Sequence, residues 1–197
     1  AAFTIKGESR TAARVGPSGI GLGRYQLRLS HQRYPAIIVF DPESPRFAEY
    51  RGIRYYPVDL SYRCIAPFIA KPKPDTTIIM STRGNARKAI RAGWFAVTLG
   101  GTSFRLEANR LLEPGVGEED VSLFFKDATS GQDTYSVGRY VNPERLSEDL
   151  YVIDFNLAYS PACAYSLHYN CPIPPKGNVL PISVKAGEMD GHYLDHE

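Results

Sequence analysis

The chain has 197 residues, of which 43% are hydrophobic, so it is long enough to bury one sizeable core. Lys and Arg number 23 and Asp and Glu number 21, and the resulting net charge of +2 gives no general electrostatic reason to bind nucleic acid or an anionic membrane. The apolar runs fall far short of the roughly 20 residues of a membrane helix. We therefore expect a single β domain over residues 1–197, with no nucleic-acid partner and no transmembrane segment.

The first residues leave the cellular location open. Ala1 and Ala2 fit the downstream side of a secretory cleavage site, but the charged and apolar segments of a signal peptide are not among these residues. An exported or periplasmic location and a cytoplasmic one are therefore both retained.

Hydrophobic residues recur with a period of two along the chain, which is typical of strands that bury one face. The clearest unit is a hairpin in which residues 95–99 and 104–108 alternate between apolar and polar positions around Gly100 and Gly101, which suit a tight turn. Further strands are predicted at residues 25–29, 37–40, 121–125, 151–157 and 180–184.

Glycines and prolines break the chain too often for long helices. The 17 glycines and 15 prolines leave no amphipathic stretch of about 12 residues, and only residues 142–150 are predicted to form a short helical turn. The expected fold is mainly β: an antiparallel β-barrel or sandwich with long ordered loops and little helix.

Several separated motifs carry a family resemblance. They include a charged lead-in with a Tyr-Tyr-Pro stretch within residues 46–68, the hairpin that begins at Trp94, and a closing Ala-Gly-Glu at 186–188. The last third of the chain adds Asp127, Thr129, Gly131, Thr134, Tyr135, Gly138, Arg139, Asp154, Asn156, Tyr159, Cys163, Tyr165 and Cys171. Together these motifs resemble the bacterial and archaeal family called domain of unknown function 1684 (DUF1684). The resemblance covers about residues 41–188, with loosely matched N-terminal strands at 1–40 and a polar tail at 189–197, and it implies no particular reaction.

Five polar residues in these motifs form a candidate ligand pocket. Arg139 offers a planar fork for a carboxylate or phosphate, and a neighbouring Asp is available as a general base. The structural alternative is that Asp127, followed by Thr, Ser and Gly, makes a turn, while Arg139 pairs internally with Asp154. No catalytic residue is assigned, and the candidate pocket consists of Asp127, Tyr135, Arg139, Asp154 and Asn156, the last two sharing one face of the strand predicted at 151–157.

Three cysteines allow one disulfide and one remaining thiol. Cys163 and Cys171 are the natural pair, and closing a loop of about nine residues would stabilise the fold by roughly 2.5 kcal/mol in the chain-entropy model. Two reduced structural thiols are one alternative, and a metal site with His168 is another, although no CxxC pair supports a metal. We expect no metal and no cofactor, and we expect Cys64 to be a buried small apolar residue.

One basic patch stands out in the sequence. It consists of Arg83, Arg87, Lys88 and Arg91, with no acidic residue among them. A solvated loop is the simpler interpretation, and docking of an anionic ligand or a partner is the functional one.

The motifs of several enzyme classes are absent from the sequence, namely GxSxG, HExxH, the protein-kinase set and the dinucleotide fingerprint. The leading hypothesis is therefore a non-catalytic ligand-binding domain or accessory subunit of a larger assembly, with a protein partner or a small anionic ligand. The alternative is a small-molecule enzyme of the hydrolase or isomerase type, acting on an anionic substrate through the candidate pocket.

Overall fold

The computed structural model describes residues 3–5, 8–11, 19–30 and 36–193. They divide into two compact units, Ala1–Ala48 and Glu49–Glu197. The described residues form antiparallel sheets, one short α-helix and four 3-10 turns. This confirms the predicted mainly β fold in its sandwich-like form with long loops, since the sheets do not close into a barrel.

The first unit contains two small antiparallel sheets. The strands predicted at 25–29 and 37–40 are confirmed as neighbours in the larger sheet, where Leu27 is the register partner of Val39. The elements are β1 (Phe3–Ile5) paired with β2 (Glu8–Arg10), then β3 (Ile20–Leu22), β4 (Tyr25–Ser30) and β5 (Ala36–Phe40) in the order β3-β4-β5, and α1 (Arg46–Glu49) at the boundary of the units.

The second unit is organised around a five-stranded antiparallel sheet. Its strands are β7 (Arg63–Met80), β8 (Ala86–Leu99), β9 (Thr102–Leu111), β12 (Glu144–Arg145) and β13 (Leu150–Asp154), in the order β12-β13-β7-β8-β9. Two short pairs accompany it: β6 (Arg54–Tyr55) with β14 (Glu188–Met189), and β10 (Leu123–Phe125) with β11 (Arg139–Val141). The 3-10 turns are Leu60–Tyr62, Phe155–Leu157, Ala162–Ala164 and Lys176–Asn178.

The predicted hairpin is confirmed as β8 and β9. Leu99 pairs with Thr102, and Gly100 and Gly101 have φ values of 57° and 78°, which L-residues adopt only with strain. The alternating residues of β8, including Phe95 and Leu99, are buried as the period of two predicts.

The inner face of the five-stranded sheet packs against β10, β11 and the loops that follow β13. Phe125 of β10 and Phe155 meet edge to face, with ring centroids 5.1 Å apart. A second, smaller cluster lies on the other side of β10, because Phe124 and Phe125 point to opposite faces and both are buried. It consists of Ile79, Ala89, Phe124, Tyr140, Cys163 and Cys171.

Several local predictions are wrong. Residues 142–150 contain β12 and bends in place of a helical turn, and residues 180–184 form no strand although Leu180 and Val184 are buried. The strand predicted at 151–157 ends at Asp154, whose side chain caps the 3-10 turn that follows by accepting from the Asn156 N–H. Three residues of the basic patch that was interpreted as a solvated loop, Arg87, Lys88 and Arg91, are part of β8.

Candidate functional site

Arg139 is the first residue of β11 and lies inside the second unit. Its side chain is only 1% exposed, and it is among the largest fully buried side chains of the described residues. The pairing of β11 with β10 places Arg139 opposite Phe125, and the guanidinium carbon lies 5.2 Å from the centre of that ring. An aromatic face stabilises a cation at this distance.

The guanidinium donates to four acceptors of the protein itself. Nη2 donates to Oδ2 of Asp127 at 2.7 Å and to the carbonyl of Val184 at 2.8 Å. Nη1 donates to the carbonyl of Ala186, and to that of Glu188 at 3.3 Å. A buried cation is tolerated when it is paired, and these four acceptors satisfy both Nη atoms, whereas Nε is buried without a hydrogen-bond partner among the described residues.

Asp127 joins this arginine to a tight turn. Its Oδ1 accepts hydrogen bonds from the N–H of Thr129 at 2.7 Å and from the hydroxyl of the same residue at 2.5 Å. The hydroxyls of Thr129 and Thr134 are in turn 2.9 Å apart. The predicted turn at Asp127 is therefore confirmed, and its carboxylate bonds to the turn and the arginine together.

The closing Ala-Gly-Glu motif supplies carbonyls to the same centre. Gly187 has a φ of 79°, and a Cβ atom there would lie 2.6 Å from the carbonyl oxygen of Ala158 and 2.7 Å from that of Phe155. Only glycine fits both the backbone angle and the space, so it lets the chain turn and present the carbonyls of residues 186 and 188 to Arg139. Three motifs that are distant in sequence thus meet at one arginine.

Asp154 and Asn156 form a separate clamp near the surface. Oδ1 of Asp154 accepts from the N–H of Asn156 at 3.0 Å and from its side-chain amide at 2.9 Å. The amide of Asn156 also bonds to the backbone N–H and carbonyl of Asp59, at 3.0 and 2.9 Å. The cation beside Asp154 is Arg63 at 3.6 Å, so the interpretation in which Asp154 pairs with Arg139 is wrong.

Tyr135 contacts the cysteine loop. Its hydroxyl donates to the carbonyl of Cys163 at 3.2 Å, and burial raises the pKa of Tyr135 well above its usual range. Cys163 and Cys171 are buried free thiols, and Sγ of Cys171 accepts from the N–H of Cys163 at 3.3 Å. Cys64 is only partly buried; its thiol donates to the carbonyl of Ile153 at 3.5 Å, and burial raises its pKa.

The five candidate residues therefore occupy three places. Asp127 and Arg139 pair in the interior, Asp154 and Asn156 clamp a surface segment, and Tyr135 bonds to the cysteine loop. Every one of these contacts joins two parts of the chain, so each of the five residues orders a loop or a turn.

A buried polar cluster at the C-terminal side was not predicted. Oε1 of Glu188 accepts from the hydroxyl of Tyr165 at 2.5 Å and lies 2.8 Å from Nε2 of His192. The rings of Tyr165 and His192 are 4.3 Å apart, and burial, followed by the Glu188 bond, raises the pKa of Tyr165. The (i, i+4) spacing of Glu188 and His192 was the available signal, but both stood at the edge of a segment interpreted as a polar tail.

The four residues of the predicted basic patch differ in their surroundings. Arg87 is buried, whereas the neighbouring Lys88 points to the opposite face of β8 and is exposed. The arginines make contacts within the protein: Arg87 with Ser81, Glu113 and the carbonyl of Asn170; Arg91 with Asp75 and Glu107; Arg83 with the carbonyl of His168.

The described residues contain neither a metal-binding cluster nor a membrane-spanning helix. Among the described residues, no three His, Cys, Asp or Glu side chains are grouped so that they would hold a metal ion. In the same part of the chain, no helix has both the length and the apolar character needed to cross a membrane.

The fold and the interior centre define a class: an antiparallel β protein whose second unit is ordered around a buried Arg–Asp pair. Residues 48–189 match the family described as "Protein of unknown function (DUF1684)", and the chain belongs to this family. The chain is 32% identical to the uncharacterized protein from gene locus rrnAC0354 of Haloarcula marismortui, whose solution NMR structure matches with a TM-score of 0.58 over 75% of this chain and 80% of that chain. No curated protein matches the chain.

Proposed function

We propose that this protein is a non-catalytic β domain that serves as an accessory subunit of a larger assembly by binding another protein. The observation that carries this proposal is the enclosure of Arg139, whose side chain is 1% exposed and donates to Asp127 and three backbone carbonyls. An arginine that recognises a substrate carboxylate or phosphate must present its fork to that group. This fork is taken by acceptors of the chain itself.

The other motif residues support the same proposal. Asn156 bonds to the backbone of Asp59, and Tyr135 bonds to the backbone of Cys163. Side chains that are held by backbone groups stabilise loops and offer little to a substrate.

The first unit offers a surface for the partner. The registers of β3, β4 and β5 place seven apolar side chains on one side of the sheet, because paired residues point to the same face. Several are well exposed, among them Leu22 at 61% and Ile37 at 64%. This apolar sheet face consists of Ile20, Leu22, Tyr25, Leu27, Leu29, Ile37 and Val39.

The chemistry of the apolar sheet face favours a protein partner with an uncharged apolar surface. None of its seven residues is charged, whereas the polar Gln26 and the charged Arg28 lie on the opposite face. Three strands about 4.8 Å apart and about five residues long form a face of roughly 14 by 17 Å. The area of this face is well below the roughly 800 Å² that each partner buries in a stable interface. Two copies joined face to face would bury too little, whereas a different protein can also cover the edges of the sheet.

Charge placed on the apolar sheet face tests this proposal. We expect Leu29→Lys and Ile37→Lys to release the protein from its assembly, because a partner would have to bury an unpaired ammonium group. Gln26→Lys adds the same charge to the opposite face and is the matched control. Native mass spectrometry of the complex from the source cells should show a heavier heteromeric species for the wild type and for Gln26→Lys, and the free chain for the two face variants. A wild type that is monomeric or purely homo-oligomeric contradicts the proposal.

The enzyme alternative has a distinct signature at Arg139. If this residue acted on an anionic substrate, Arg139→Ala would abolish turnover and leave the free energy of unfolding nearly unchanged. We expect the reverse, a large loss of stability, which urea denaturation measures directly.

A further inference from the structure

The second hydrophobic cluster holds two thiols side by side. Sγ of Cys171 lies 3.3 Å from the backbone nitrogen of Cys163, and both residues are buried free cysteines. The sulfur of Cys163 is only three bonds from that nitrogen, so rotation about its Cα–Cβ bond changes its distance from Sγ of Cys171. A disulfide requires the two sulfurs to come within about 2.05 Å, and side-chain rotation is the movement this placement calls for.

The backbone around both cysteines is held by neighbouring elements. Thr82, in the turn between β7 and β8, donates its N–H to the carbonyl of Cys171 at 2.9 Å, and its hydroxyl accepts from the Cys171 N–H at 3.1 Å. On the other side, Tyr135 donates to the carbonyl of Cys163. The two ends of the loop are thus anchored next to each other before any covalent bond forms.

The surroundings give the two thiols different roles. The interaction between the two thiol side chains lowers the pKa of Cys163, with the side chains of Tyr135 and Thr82 adding to the effect, and the same thiol–thiol interaction raises the pKa of Cys171. The thiolate is the nucleophile in thiol–disulfide exchange, so Cys163 attacks first and Cys171 completes the bond.

We propose that Cys163 and Cys171 are a reversible dithiol–disulfide pair that exchanges with low-molecular-weight disulfides. The Cys163 thiolate attacks one sulfur of the small disulfide and expels the other as a thiolate, which takes up a proton. Cys171 then loses its proton, and its thiolate attacks Sγ of Cys163 and expels the second small thiol. Two protein thiols are oxidised to one disulfide, and one small disulfide is reduced to two thiols.

Burial of the pair makes the exchange depend on opening of the intervening loop. Cys163 is 5% exposed and Cys171 8%, whereas Leu167 at the outer part of the loop is 82% exposed. The reduced thiols are already packed and hydrogen-bonded, so the fold does not need the bond. Oxidation would instead fix residues 163–171 against the turn at Thr82.

Graded mixtures of reduced and oxidised glutathione, followed by alkylation and intact-mass measurement, test the proposal. On oxidation the wild type should fall from three alkylated cysteines to one, and the control Cys64→Ser from two to none, and reduction should restore both numbers. Cys171→Ser should trap a glutathione on Cys163, and it should do so faster than Cys163→Ser traps one on Cys171.

Hydrogen exchange supplies a second measurement on the same samples. The amides of Thr82 and Cys171 should exchange several-fold more slowly in the oxidised wild type than in the reduced one, with no such difference in Cys163→Ser. The proposal is overturned if both thiols stay alkylatable in mixtures that oxidise the urea-unfolded chain, if the bond formed includes Cys64, or if reduction unfolds the protein.

Discussion

Asp127 and Asp154 begin with the same local structure and end in opposite environments. Each carboxylate accepts a hydrogen bond from the backbone N–H two residues later, at 2.7 Å for Thr129 and 3.0 Å for Asn156. The side chain of Asp127 is fully buried beneath Arg139, whereas that of Asp154 is 21% exposed beside the half-exposed Arg63. The turn alone therefore says little about its energetic importance, which depends on what surrounds it.

The difference follows from solvation. Water screens the pair of Arg63 and Asp154, and such exposed pairs contribute about 0–1 kcal/mol. The pair of Arg139 and Asp127 has lost its water and depends on the partners that the fold supplies. The interior pair should thus be intolerant of change, and the surface pair tolerant.

Removing the cation from each pair should give the largest contrast. Arg139→Ala leaves the carboxylate of Asp127 buried without its partner and should lower the free energy of unfolding by about 3–5 kcal/mol. Arg63→Ala removes an exposed cation and should cost less than about 1 kcal/mol. Urea denaturation of the two variants measures both values. Equal losses in the free energy of unfolding would contradict the proposed difference between the buried pair and the exposed pair.

Removing the negative charge from each pair should give a smaller contrast. Asp127→Asn keeps an oxygen for the turn but leaves the buried guanidinium uncompensated, so we expect a loss of about 2–3 kcal/mol. Asp154→Asn should lower stability by less than about 1 kcal/mol, because the surrounding water replaces the lost pair. Thermal and urea unfolding should both show that Asp127→Asn is the more destabilising change. A larger loss of stability for Asp154→Asn would contradict this prediction.

The next largest loss of stability is expected from a change at Gly187, in the backbone segment that supplies carbonyls to Arg139. Gly187→Ala adds a Cβ atom against two carbonyl oxygens and strains a φ of 79°, so we expect a loss of about 2 kcal/mol. The control is Gly101→Ala, which has a similar φ of 78° but nothing within 4 Å of the added atom. The control measures the backbone strain alone, and a loss equal to that of Gly187→Ala would show that the close contact is relieved at no cost.

The smallest effect is expected when acid protonates Asp59, whose backbone is held by Asn156 of the surface clamp. The side chain of Ser61, followed by its N–H, donates to Asp59 and holds the pKa of that carboxyl below its usual range. The stabilising cap is therefore complete above the unfolded pKa of about 3.9 and is lost as pH falls through the lower folded value. NMR of the Ser61 amide should show the cap released below about pH 4, and a shift that begins near neutral pH would contradict this assignment.

Local patterns gave the fold class because strand alternation and turn residues act over short distances. The hairpin of β8 and β9 was predicted from its alternation and its two glycines, and the turn at Asp127 from its composition. The strand predicted at 151–157 failed at its end, since Asp154 caps a 3-10 turn where the alternation of Phe155 and Leu157 suggested continued pairing.

The candidate site shows a different limit. Arg139, Asp154 and Asn156 were grouped because they are close in sequence and suited to ligand binding. Their partners come from distant segments: the carbonyls of residues 184–188 for Arg139, and the backbone of residue 59 for Asn156. Composition and spacing contain no information about such contacts, and the importance of residues 188–192 was missed for the same reason.

By itself the sequence determined the mainly β architecture, the positions of the tightest turns and the family, because each is encoded in nearest-neighbour patterns and local motifs. Only the tertiary structure decided that Arg139 faces inward and that Asp127 is its counter-ion. The physical reason is that burial removes water from a charge, and the groups that replace the water are brought together only when the whole chain has folded.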